Sequence, residues 1–88
     1  MYQMQTLSEL GAEAAKRRRE LGLKQGDVAA QVGIAQETLS RFELGKLSEF
    51  GSRKLIAVLS VLGLELQFAE PGAAGSLDEL RRERAVEA

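Results

Sequence analysis

The chain has 88 residues, enough for one domain and a short tail. It contains no Cys and no His, which removes disulfides, thiolate or imidazole metal sites, Cys nucleophiles and the commonest general base. Apolar residues make up 44% but aromatics only 5%, with no Trp, so a core has to be built from Leu, Val, Ile and Ala, which favours helices.

Thr6-Leu7-Ser8-Glu9 has the pattern of a capping box, the Thr hydroxyl bonding the Glu amide while the Glu side chain reaches back. The helix it opens is predicted over about 7–21, stopped by Gly22, with Leu7, Leu10, Ala14 and Leu21 along its inner stripe. Arg18 falls on the same stripe, whereas Lys16, Arg17 and Arg19 point elsewhere as a solvated face. A guanidinium turned toward a core needs a carboxylate partner.

A second helix is predicted over 25–32 with Val28, Ala29 and Val32 inward, and Gly33 permits the turn that follows, with Ile34 plugging the core beneath it. The third runs over about 36–44, ending at Gly45, with Leu39 and Phe42 inward. Glu43, one turn after Leu39, is the expected partner of Arg18 in a structural ion pair. Residues 46–51 form a loop with Phe50 tucked in, and a fourth helix over about 52–62 is apolar on more than one face. That excess implies a second copy of the chain.

Residues 64–68 alternate apolar and polar, the period of a strand, and the sequence holds no other convincing strand. A lone strand is expected to pair with its twin across a two-fold axis, giving a dimer interface of Val58, Leu62, Leu64, Leu66 and Phe68. Residues 71–75 read as a linker, and residues 76–79 as a second capping box opening a charged segment, marginal as an isolated helix. The expected organisation is a helix-turn-helix and dimerisation domain over 1–69, then a tail over 70–88 that is disordered or binds a partner.

Two short helices hinged at Gly33 are the helix-turn-helix arrangement, in which the second helix enters the major groove and the first crosses the backbone. Gln36 is chemically matched to adenine, Arg41 to guanine and Glu37 to the cytosine amino group, with Thr38 and Ser40 suited to base or phosphate. Gln25 and Lys46 are placed for phosphates, contacts that fix register without reading sequence. The net charge of −1 conceals an asymmetry: residues 1–54 carry nine Lys and Arg against seven Asp and Glu, and residues 55–88 three against six. The basic excess lies with the reading unit.

The run LGLKQGDVAAQVGIAQETLSRFELGK resembles the Xre/Cro family of helix-turn-helix repressors over about residues 10–62, with Gln25, Ala29, Gly33, Ile34, Leu39, Glu43 and Gly45 fitting its pattern. The resemblance implies that Gln25, Gln36, Glu37 and Arg41 face DNA, and a buried pair like Arg18–Glu43 occurs in some members. Ala35 departs from the Ser or Thr that often caps the third helix, and Leu44 from the polar residue often found before Gly45. The continuation LSEFGSRKLIAVLSVLGLELQF more narrowly resembles the HipB-like antitoxins, in which a strand after the last helix completes a dimer. That likeness implies a kinase-type, HipA-like toxin as partner and repression of the chain's own operon.

The expected fold is therefore all-α: a four-helix, lambda-repressor-like helix-turn-helix bundle with one C-terminal strand pairing across a homodimer. The expected function is repression at a palindromic operator in double-stranded DNA. Alternatives are a stand-alone phage-type or metabolic regulator, or a protein-interaction module that binds no DNA. No paired carboxylates, nucleophile–base set or phosphate-cradling glycine loop is present, so neither enzymatic activity nor a cofactor is expected. The longest apolar run is too short for a membrane span, and the first ten residues lack a signal-peptide layout, which makes the cytoplasm the expected compartment.

Overall fold

A computed structural model describes residues 6–70. Within them four helices follow one another: α1 (Leu7–Glu20), α2 (Gln25–Val32), α3 (Gln36–Glu43) and α4 (Ser52–Val61). The all-α helix-turn-helix expectation is met. The linker and charged segment read in residues 71–88 lie outside the described residues.

At the start of α1 the Thr6 hydroxyl accepts from the Glu9 N–H at 3.1 Å and donates to the Glu9 carboxylate at 3.3 Å. At its end the N–H groups of Gly22 and Leu23 bond back to the carbonyls of Arg19 and Arg18, at 3.0 and 3.1 Å, the paired bonds that close a helix with a left-handed residue. The helix therefore stops at Glu20, and Leu21 is its cap. Leu21, expected on the inner stripe, is exposed, and Leu23 beyond the turn packs on the core.

The inner face of α1 is made from small residues. Gly11, Ala14 and Ala15 are buried, and a Cβ placed on Gly11 would fall on the Phe42 carbonyl oxygen and within 3.4 Å of Glu43 Cα. The backbones of α1 and α3 approach this closely only because Gly11 has no side chain. α2 packs on both α3 and α4, and Ala14, Val28, Ala29, Leu39, Phe42, Val58 and Leu62 close the core. Phe50, from the loop before α4, stacks on Phe42 with ring centroids 4.6 Å apart and planes 21° from parallel, within the separation at which aromatic pairs attract.

Two residues assigned to a dimer contact belong elsewhere. Val58 and Leu62 are 0% and 1% exposed, enclosed by their own chain. The face of α4 that carries them is the one packed into the core, so they have no surface left for a second copy. The outward apolar residue of α4 is Ile56, 55% exposed. Leu64 is half-buried against the core, whereas Leu66 and Phe68 are exposed, Phe68 at 95%. Residues 64–68 form no strand in the single chain, since a strand is defined by bonds to a neighbouring backbone and the one proposed for it lies on another copy.

The Gly11 contact yields a prediction opposite in sign to helix propensity. Gly11→Ala gains about 1 kcal/mol of intrinsic helix preference, yet the clash with the α3 backbone should leave the chain less stable by about 1–3 kcal/mol. A lowered urea midpoint at unchanged slope is the expected readout.

Candidate nucleic-acid interface

The turn between α2 and α3 is built from backbone geometry. Gly33 has φ +84°, a left-handed conformation that is costly for a residue with a Cβ. The N–H groups of Gly33 and Ile34 both bond the Ala29 carbonyl, at 2.9 and 3.0 Å. Ile34 then drops against the core, and α3 begins after Ala35 with no side-chain cap.

α3 divides cleanly. Leu39, Phe42 and Glu43 are buried, while Gln36, Glu37 and Arg41 are exposed and Thr38 and Ser40 half-buried. Three- and four-residue steps put Glu37, Ser40 and Arg41 on one outward stripe, continued by Leu44 at 65% exposure. A Cβ on Gly26 would lie 3.4 Å from Gln36 Oε1, so the Gln36 amide rests over the first turn of α2. Arg41 Nη2 donates to Glu37 Oε1 at 2.8 Å. Gln25 and Ser40 line a shallow recess together with Arg19 and Leu44. Lys46 is exposed just past α3, its N–H bonded to the Arg41 carbonyl at 2.9 Å.

Beneath this face lies an ion pair that joins three helices. Arg18 Nε of α1 donates to Glu43 Oε2 of α3 at 2.7 Å, and Arg18 Nη2 to Oε1 at 2.9 Å. The side chains are 12% and 4% exposed. Arg18 Nη1 also donates to the Leu23 carbonyl at 2.9 Å, and Gln25 Nε2 of α2 to Glu43 Oε1 at 2.9 Å. Hydrogen bonding to Glu43 raises the Arg18 pKa above its ordinary value against the opposing effect of burial, with Coulomb attraction adding to the rise. Arg18 is thus a fixed charge throughout the accessible pH range.

The expected Arg18–Glu43 contact is therefore present, with more partners than spacing suggests. Gln25, expected to meet phosphate with its amide, already spends one of its two amide hydrogens on Glu43, leaving one for a further acceptor. Arg17 also differs from expectation. Its Nε donates to the Leu62 carbonyl at 3.0 Å, so it caps the C-terminal end of α4, where unpaired carbonyls favour a cation. Neither this contact nor the role of Gly11 has a strong sequence signal, although a glycine within an otherwise helical stripe marks a close approach.

The helix-turn-helix domain family matches residues 2–69, and the chain belongs to that family. Among solved structures it is similar to HipB in two settings. One is a HipB variant described as an O2 20mer complex, with TM-score 0.68, 21% identity, 80% of this chain and 96% of that chain covered. The other is a HipA–HipB–O2–O3 complex, with the same score and identity, covering 80% and 97%. It is also similar to a SinR protein/SinI protein complex, at TM-score 0.60 and 20% identity, covering 90% and 81%. No curated protein matches the sequence. The structural likenesses establish the fold.

Truncating Glu43 strands the Arg18 charge. Glu43→Ala should cost about 3–5 kcal/mol in chemical denaturation, whereas replacing both partners with apolar residues of similar volume should recover most of it.

Proposed function

We propose that this chain is a homodimeric, sequence-specific DNA-binding repressor of the HipB-like antitoxin type, acting at a palindromic operator. The observation that carries the reading is the outward face of α3. It bears Gln36, Glu37 and Arg41, which the described chain leaves exposed, with Ser40 half-buried beside them, while Leu39, Phe42 and Glu43 hold its opposite side. The side chains on that face are the chemical types that discriminate base edges in a major groove. Repression is steric, by occupation of promoter DNA.

Dimerisation rests on the apolar surface of Ile56, Leu66 and Phe68, with residues 64–68 pairing across the two-fold axis. Leu64 supports that segment from beneath. Residues 1–69 form the DNA-binding and dimerising unit, and residues 70–88 a charged tail that meets a protein partner. A HipA-like kinase is the partner favoured by the HipB likeness, since one matching structure is a HipA–HipB–O2–O3 complex. The SinR–SinI likeness supports a second reading, a stand-alone regulator with a different protein partner. The neighbouring gene separates the two.

Retardation of a duplex from the chain's own upstream region is the direct test, and its absence sinks the reading. Given binding, Arg41→Ala should lose about 1–3 kcal/mol of discrimination at one base pair, and Lys46→Ala should reduce the salt slope by about one with little change in preference. Phe68→Ser together with Ile56→Lys should shift sedimentation toward monomer; a chain that stays dimeric places the interface elsewhere.

A further inference from the structure

The contact between Glu37 and Arg41 has a significance beyond helix stability. Arg41 Nη2 and Glu37 Oε1 are 2.8 Å apart, with side chains 58% and 74% exposed. The acidic residue precedes the basic one by a turn, the favoured sense. An exposed pair of this kind contributes little to folding, but these are two of the side chains the proposed DNA-binding reading offers to bases.

We propose that Glu37 is a positioning residue for Arg41 and sets its specificity for guanine, instead of reading a base itself. A guanidinium has five donors in a rigid plane. The bond to Glu37 uses one, on Nη2. Bidentate contact with guanine O6 and N7 uses two, so both sets of bonds form together. Glu37 thereby holds the plane of a long, flexible side chain before DNA arrives and reduces the ordering left to do on binding. It acts a second way where no guanine is present. A free guanidinium is attracted to any phosphate, and phosphate contacts dominate non-specific affinity. Pairing with Glu37 offsets that attraction, so wrong sequences are held less tightly and discrimination rises.

Glu37 also lies in the first turn of α3, which has no side-chain cap, and its charge suits that helix end. This structural contribution does not depend on Arg41, and that independence makes the test selective.

The full-length chain would be used to enrich duplexes from a randomised pool of about 30 base pairs, three helical turns. Glu37→Gln, Arg41→Ala and the double variant would then be titrated, after a melting check, against the enriched duplex, its single base-pair substitutions and an unrelated duplex across a salt series. Glu37→Gln should bind the unrelated duplex more tightly, with a salt slope steeper by about one. It should also lose about threefold or more of the guanine preference at the base pair where Arg41→Ala abolishes it. In the Arg41→Ala background the same change should leave base preferences unaltered. If Glu37→Gln alters a different base pair in both backgrounds, Glu37 is itself a reader and the inference is overturned. Unchanged guanine preference in Glu37→Gln, or unchanged preferences in Arg41→Ala, overturns it as well while leaving DNA binding intact. A pool from which nothing is enriched removes the DNA-binding reading and this inference with it.

Discussion

The arrangement of the first three helices depends on one carboxylate. Glu43 is buried at the end of α3 and accepts from Arg18 of α1 through both oxygens and from Gln25 of α2 through one. A charge in such a place is tolerated only when it is paired and hydrogen-bonded. Its worth lies less in net stabilisation, which buried pairs often lack, than in how narrowly it constrains geometry. The donors come from two helices and must converge on one group carried by a third, so a displacement of any of the three strands a polar atom. Among the described residues no buried side-chain nitrogen or oxygen lacks a partner.

That constraint works alongside a steric one. Gly11 brings α1 against the backbone of α3 immediately beside Glu43, a separation short enough for the Arg18 fork to reach the carboxylate directly. Missing side-chain volume and an ion pair act at the same crossing, one setting its distance and the other its rotation. The result is a fixed α3 whose outer stripe takes little part in holding it against the core. Opposite sides of one eight-residue helix thus carry separate tasks, Leu39, Phe42 and Glu43 holding it and Gln36, Glu37 and Arg41 available to a partner.

Much of this was legible in the residue order. Periodicity located the helices because each is amphipathic, and the left-handed glycines marked their ends. Arg18–Glu43 was inferable because two charges fell on apolar stripes, a conflict that only mutual contact resolves. The exceptions have physical causes. Leu21 matched the stripe by spacing, but the turn at Gly22 carried it off the helical track. An excess of apolar residues on α4 does not reveal which ones face inward, and Val58 and Leu62 do. The contact of Arg17 is hidden because helix periodicity describes a residue's own helix and is silent about a carbonyl 45 positions away in sequence. The pairing between copies expected from the alternation of residues 64–68 has no counterpart in a single chain.

Arg17 and Arg18 are neighbours on α1, and successive residues of a helix point about 100° apart. One reaches the C-terminal end of α4 and the other that of α3. These two helices share little direct packing with each other, so α2, which packs on both, and a dipeptide in α1 together index them. The segment joining them, residues 46–51, packs Leu47 and Phe50 on the core and otherwise acts as a tether. Changes elsewhere in that segment alter the path of the chain while the bearing of one helix on the other is kept by α2, which packs on both, and by a pair of adjacent guanidinium groups.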